Sequence, residues 1–271
     1  WGPAGSSAKN TTVETNPFPS KSTLLLTNGQ EDDANAYWHP DKFSSLDENF
    51  SVKFTYQASG DRAADGITFA FQNEGARAVG ETGGGLGYVG ISGPTAAYQI
   101  NLYEGHVQGS NFVTTNTSGT YLSTDPVDFN SGNPIRVELS FDTDANTVQE
   151  TLTDLTANTS YSYTHQNVDL ASLLGSSAFV GFTGGDGGAT SIQTVTDFSL
   201  DSSAENLAGF ASWNDLQHQQ ILTQNTQNNL TQTVKATVTQ TETATTHFDD
   251  STSGSWDMGP STTDRKSTRL N

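Results

Sequence analysis

Apolar and polar side chains alternate with a period of two along residues 16–200, and no helical pattern of ten or more residues occurs there. The stretch SVKFTY, for example, places Val52, Phe54 and Tyr56 on one face. The other stretches of this kind are GITFAFQ, AYQINLY, IRVELSF, TVQETLTD, AFVGF and TVTDFSL. Turn signals separate them, and FDTDAN at 141–146 predicts a hairpin turn. Strands that are apolar on one face need a second sheet to cover them, so the pattern predicts an all-β sandwich or barrel.

Charge and composition exclude several functions. Against 30 Asp and Glu the chain has only 11 Lys and Arg, and its formal net charge is −19. Such a surface repels nucleic acid and anionic membranes, so we expect neither as a partner. The absence of cysteine excludes disulfides, thiol nucleophiles and Cys-based zinc sites. No apolar run reaches the roughly 18 residues needed to span a membrane, so we expect no membrane insertion.

Composition also divides the chain into segments. We expect residues 1–15 to be a leader or linker and residues 16–201 to form the β domain. Residues 202–263 are rich in Gln, Thr and Asn. This low-complexity tail predicts a spacer or the start of a further module, because so few apolar residues bury little surface. The final residues 264–271, DRKSTRLN, resemble a translated sequencing adapter and are excluded from the fold argument.

The stretch GGGLGYVG, at 83–90, contains the glycine spacing of a dinucleotide-binding turn. That motif needs a strand before it and a helix after it, so that the helix N-terminus meets the pyrophosphate. Here the glycines lead into ISGPTAAY, where Pro94 and the following alternation predict a turn and a strand. The glycines therefore indicate a backbone that approaches a ligand closely or adopts positive φ.

Four segments, in this order and spacing, resemble the legume-type (L-type) lectins and their bacterial relatives. They are ADGITFAFQ, GGGLGY, AAYQINLY and VDLASLLGSSAFVGFTGGDGG, the last closed by TVTDFSL. The resemblance covers about residues 16–200. It implies a two-sheet antiparallel jelly-roll β-sandwich of the concanavalin type. It also implies no catalysis and a shallow saccharide site in loops above the concave sheet.

The resemblance also implies site residues. Asp65 matches the saccharide-binding aspartate of the family, whose bond to the preceding alanine is typically cis, so we expect a cis bond between Ala64 and Asp65. The turn at 83–85 matches the loop that donates a backbone N–H to the sugar, and the loop at 184–188 matches the one that selects the sugar. The expected saccharide contacts are Asp65, Gly84, Gly85, Tyr103, Asn111, Gly185 and Asp186. Asp186 is included because it has the only side chain in the 184–188 loop that could extend to a sugar.

The chain departs from the family at the metal site. Legume lectins hold Ca²⁺ and a transition metal with a Glu-x-Asp pair on the central strand, where this chain has Gln99 and Asn101. Amide oxygens can ligate Ca²⁺ but bring no charge. We therefore expect weak Ca²⁺ binding at best, or an amide network in its place, and no transition metal. The five histidines show no metal-site spacing, and we expect them to be solvated.

The same strand bears on two alternatives. Retaining glucanases of this fold carry Glu-x-Asp-x-x-Glu, but here the matching positions are Gln99, Asn101 and Glu104. An amide cannot serve as the nucleophile, so hydrolysis is the least favoured function. The leading hypothesis is saccharide or polysaccharide binding by a secreted or surface-displayed domain. A structural or adhesive module that has lost sugar binding stays open, as does a homodimer.

Overall fold

A computed structural model describes residues 23–203 and 206–208, and this part of the chain is almost entirely β. Its single α-helix is the short α1 (Leu170–Leu174), and Gly83–Gly85 form one 3₁₀ turn. The strands are β1 (Thr23–Asn28), β2 (Asp33–Trp38), β3 (Phe50–Ser59), β4 (Gly66–Gln72), β5 (Thr95–Asn101), β6 (Gly109–Val113), β7 (Leu122–Ser123), β8 (Ile135–Asp142), β9 (Thr147–Asp154), β10 (Thr159–Gln166), β11 (Phe179–Asp186), β12 (Ile192–Ser202) and β13 (Asn206–Ala208). Within these described residues no helix is long and apolar enough to cross a membrane.

The strands form two antiparallel sheets. The seven-stranded sheet has the order β1-β12-β3-β8-β9-β10, and β13 pairs with β12. The six-stranded sheet has the order β2-β11-β4-β5-β6-β7. The expected hairpin joins β8 to β9, with Asp142 opposite Thr147 and Asn146 at a φ of 54°. The predicted fold class, a two-sheet antiparallel jelly-roll β-sandwich, is confirmed.

The core lies between the two sheets and follows the predicted alternation. Phe54 and Tyr56 of β3 are fully buried, as are Phe69 and Phe71 of β4. Aromatic rings dominate the contact between the sheets; the Phe54 and Phe182 rings, for example, meet edge to face at 5.0 Å. Each such buried ring contributes about 1.5–3 kcal/mol relative to exposure. The alternating pattern is therefore the main determinant of the sandwich.

A second, smaller apolar cluster lies on the other face of the six-stranded sheet. Its strand members are Trp38, Ala70, Ala97 and Val113, and residues 73–94 cover them with Ala78, Tyr88 and Ile91. We call residues 73–94 the glycine-rich cover. The Trp38 Nε1–H fastens it by donating to the Ala78 carbonyl at 2.7 Å. Gly87 has a φ of +68°, and a methyl group there would lie 2.8 Å from two backbone oxygens. The glycines thus allow the cover to lie directly on the sheet.

Three features of the fold differ from the sequence predictions. The strands β6 and β10 have little or no apolar alternation, and β10 (TSYSYTHQ) is an edge strand that needs only one partner. The strand β13 lies beyond Asp201, the expected end of the domain. The expected leader at 1–15 and the adapter-like segment at 264–271 lie outside the described residues. So does most of the expected spacer at 202–263.

Candidate functional site

Asp65 stands immediately before β4, at the end of the six-stranded sheet where β5 and β11 finish. We call this the site end of the sheet. Gly66 pairs there with Asn101 on one side and with Gly185 on the other. The backbone of Asp65 is held from both sides. Its carbonyl accepts from the Leu102 N–H at 2.8 Å, and its N–H lies 3.2 Å from the Gly185 oxygen. The strand pairing therefore fixes where the carboxylate projects.

The Asp65 carboxylate lies beside backbone that has no side chains. A methyl group added at Gly187 would lie 3.2 Å from its Oδ2 atom, and one added at Gly83 would lie 3.6 Å away. Gly84 is exposed, and a methyl group there would meet nothing within 4 Å. The structure therefore brings Asp65 and the glycine turn together, as the resemblance implies, and adds Gly187 to them.

Burial is the main influence on the ionisation of Asp65. The residue is 8% exposed, and this burial raises the pKa of its carboxyl group above the usual value. The Gly187 backbone N–H and the charge of His106 oppose the rise by favouring the carboxylate. Asp65 is thus a hydrogen-bond acceptor that is partly desolvated but still reaches the surface.

Two tyrosines are linked to this carboxylate, Tyr121 through the carboxylate charge and Tyr103 through its neighbour His106. Tyr103 is 40% exposed, and its ring centroid lies 6.1 Å from that of His106. Tyr121 is buried, and burial followed by the charge of Asp65 raises its pKa to about 12. His106 and Tyr121 were not selected from the sequence, and Gly187 was included only as part of the expected loop at 184–188. His106 is exposed as expected, but its charge acts on Asp65. No local sequence signal marks Tyr121, which comes close only through folding.

The expected role of Asp186 is wrong. Gly184, Gly185 and Asp186 belong to the strand β11 and not to a loop, and the Asp186 side chain is fully buried. Its Oδ1 atom accepts the Asp65 N–H at 3.1 Å, and its Oδ2 atom accepts the Ser191 N–H at 3.1 Å. Burial raises the pKa of Asp186 to about 8 despite these bonds. Asp186 therefore supports the backbone of Asp65 through this hydrogen bond and does not reach the surface.

Two of the expected glycine contacts are also used internally. The Gly85 N–H donates to the Thr82 carbonyl at 3.1 Å, which leaves Gly84 as the better candidate donor in this turn. Gly185 is buried, and a methyl group on it would lie 3.0 Å from the Gly83 oxygen. Its role is to let the turn pack against β11.

The expected cis bond before Asp65 is absent. The one cis peptide bond of the described residues joins Asp125 to Pro126. The position of Asp65 is set instead by its trans backbone, through the bonds to Leu102, Gly185 and Asp186 described above.

The amides of β5 are buried and engaged with loops. The Gln99 Oε1 atom accepts the Gly119 N–H at 2.8 Å, and its Nε2 atom donates to the Thr117 carbonyl at 3.0 Å. The Asn101 Nδ2 atom donates to the carbonyls of Tyr103 and Val107, both at 3.0 Å. Asn111 lies opposite Gln99 on β6 and is partly exposed. At the position expected to bind Ca²⁺ weakly, the side chains of Gln99 and Asn101 therefore donate N–H groups to the carbonyls of two loops.

These residues do not fit a metal ion. A hard cation needs several oxygen ligands, preferably charged ones, and the Asn101 nitrogen occupies the space toward which two carbonyl oxygens point. Within residues 23–203 and 206–208, no three His, Cys, Asp or Glu side chains are grouped as metal ligands would be.

Comparison with solved structures identifies a legume-lectin-like fold. Arcelin-5, a lectin-like defense protein from Phaseolus vulgaris, has a TM-score of 0.56 and 19% identity, covering 67% of this chain and 86% of arcelin-5. The lectin from Bauhinia forficata in complex with GalNAc matches with a TM-score of 0.56, 19% identity and coverages of 67% and 87%. The winged bean acidic lectin, complexed with methyl-α-D-galactose, matches with a TM-score of 0.52 and 17% identity. The match covers 67% of this chain and 92% of that lectin. No family model matches the chain.

Proposed function

We propose that this chain is a non-catalytic saccharide-binding domain whose site is the surface around Asp65. One observation carries the proposal: the partly desolvated carboxylate of Asp65 lies beside glycine backbone at Gly83 and Gly187, and Gly84 belongs to the same turn. Tyr103 supplies an exposed aromatic face nearby. The similarity of fold to lectins bound to GalNAc and to methyl-α-D-galactose supports the same class of ligand here.

The chemistry of a sugar suits these groups. A saccharide presents neighbouring hydroxyls, each a donor and an acceptor, together with apolar C–H surface. A carboxylate can accept two hydroxyl protons at once, and such charged acceptors form the stronger hydrogen bonds. The Gly84 N–H can donate to a sugar oxygen because no side chain blocks the approach. The Tyr103 ring can cover the apolar face.

The absence of catalysis is part of the proposal. Retaining hydrolysis needs a carboxylate nucleophile and a second carboxyl group as acid. At the corresponding positions Gln99 and Asn101 are amides that are already bonded to loops, and Glu104 is a single exposed carboxylate. We further propose a bacterial source and a secreted or surface-displayed location, the latter in keeping with the low Lys and Arg content and the many Thr, Ser and Asn residues.

A glycan array followed by calorimetry tests the function. On the array, the full chain should bind a defined group of glycans. In calorimetry, Asp65→Asn should weaken the affinity for these glycans by about 10- to 100-fold, because a hydrogen bond to a charged group contributes about 1.5–3 kcal/mol. Asp61→Asn is the matched control, since Asp61 is an exposed carboxylate in the same connection before β4. It should bind like the wild type. Failure of the wild type to retain any glycan would favour a structural or adhesive module instead.

A further inference from the structure

Each of the two buried amides of β5 holds one loop at the site end of the sheet. Gln99 is fully buried, and Asn101 is 3% exposed. Asn101 fixes both ends of the 103–107 loop, which carries Tyr103, by donating to the Tyr103 and Val107 carbonyls. The same loop is tied down beside it, where Gln108 Nε2 donates to the Leu102 carbonyl at 2.7 Å.

Gln99 acts on the second loop. Its amide bonds to both Thr117 and Gly119 of the loop at 114–121. Between them, the Ser118 hydroxyl donates to the Gly84 carbonyl in the glycine turn. A continuous chain of hydrogen bonds therefore leads from the middle of the sheet, through this loop, to the backbone beside Asp65.

These contacts leave no place for a cation. Both Asn101 bonds use the amide nitrogen, so a donor and not a ligand oxygen faces the two carbonyls. Gln99 uses its oxygen and its nitrogen on the same loop. A buried amide left without partners would cost about 1–3 kcal/mol, and the three loop carbonyls supply the partners that these two buried amides need.

We propose that Gln99 and Asn101 are positioning residues that replace a bound metal ion as the support of the two loops. Saccharide binding at this site is then independent of divalent metal. The second statement rests on the proposed function, whereas the support of the loops by amides does not and can be measured without a sugar.

The first test uses the wild-type chain. Its melting temperature should be the same in EDTA, in Ca²⁺ and in Mn²⁺, and so should its affinity for any glycan that the array selects. A rise in melting temperature with Ca²⁺, reversed by EDTA, would overturn the proposal whether or not a sugar binds. Sugar binding that EDTA abolishes would do the same.

The second test is the variant Asn101→Asp. Its new oxygen faces two carbonyl oxygens, so in EDTA the melting temperature should fall by about 5–10 °C, as expected for the loss of two buried hydrogen bonds. Asn111→Asp is the matched control for stability. It makes the same change on the same face of the neighbouring strand, where the side chain is partly exposed, and it should melt near the wild type.

Hydrogen exchange shows whether the effect is local. In Asn101→Asp the 102–108 segment should exchange faster, while the 114–121 loop stays protected, and Gln99→Leu should give the reverse. If Asn101→Asp does not fold, Asn101→Ala removes the same donors without adding charge. Wild-type protection of 102–108 in these Asn101 variants would show that the amide does not support the loop, and would overturn the proposal.

Discussion

A buried carboxylate joins the two sheets far from any solvent. Glu150 of β9 is fully buried, and its Oε1 atom accepts the hydroxyls of Tyr98 at 2.6 Å and Ser110 at 2.7 Å. Its Oε2 atom lies 2.8 Å from Nε2 of His165, on the edge strand β10. His165 was expected to be solvated, but it is only 5% exposed. Removing His165 should therefore leave a buried charge without its partner.

We predict that His165→Leu lowers the free energy of unfolding by about 1.5–3 kcal/mol, the usual contribution of a hydrogen bond to a charged group. For a domain of this size the melting temperature should fall by about 3–12 °C. The double variant Glu150→Gln/His165→Leu should recover more than half of this loss. Its neutral amide oxygen can still accept the Tyr98 and Ser110 hydroxyls, but no charge is buried.

Urea unfolding followed by far-UV circular dichroism measures these free energies, with all variants compared at one pH and ionic strength. The control Gln166→Leu changes the exposed side chain next to His165 on β10 and should stay within about 0.5 kcal/mol of the wild type. The reasoning would be refuted if His165→Leu were as stable as the wild type. It would also be refuted if the double variant were less stable than His165→Leu.

Three further predictions follow from the burial and backbone geometry. The pKa of Asp186 rises from 3.8 to about 8 on folding, so its stabilising effect is complete below pH 4 and declines as the pH rises to 8. The free energy of unfolding should fall by at most about 1.4 kcal/mol per pH unit across that range, and Asp186→Asn should flatten this slope in urea titrations. A methyl group at Gly66 would lie 1.9 Å from a backbone oxygen of β5, so Gly66→Ala should lower the free energy of unfolding by several kcal/mol or prevent folding. The control Gly188→Ala places its methyl group in open space and should keep the wild-type stability. Trp38→Phe removes the donor to the Ala78 carbonyl, which should lower the local stability of the glycine-rich cover by about 1–3 kcal/mol. Limited proteolysis should then cleave the cover faster than in the wild type.

Local alternation was sufficient to predict an all-β sandwich or barrel, and the family resemblance selected the two-sheet jelly roll. Strands such as β3 and β4 place large apolar side chains at every second position, and burial of those faces requires two sheets. The edge strand β10 was not recognised in this way, because the face that it turns inward carries Tyr161, Tyr163 and His165 and no aliphatic side chain. The bond between His165 and Glu150 supports this strand, and it joins positions that a short sequence window does not connect.

The site could be predicted only in part. Asp65 and the glycine turn carry local signals, and they do lie together. The burial of Asp186 could not be foreseen, because the glycines of β11 resemble a loop but serve close packing against Gly83. Tyr121 comes near Asp65 only through folding. Gly187 lies in the loop expected at 184–188, but its contact with Asp65 was not predicted. Gln99 and Asn101 were identified on the central strand, but the loops that they bind are a tertiary property.

The most direct test of the central claim is a titration of the ¹⁵N-labelled chain with the glycan that the array selects, followed by NMR. We expect the backbone resonances of Asp65, Gly84 and Gly187 to shift first and together, while those of the β8–β9 turn near Asp144 stay fixed. Shifts confined to residues away from Asp65, or no shifts with any glycan, would contradict it.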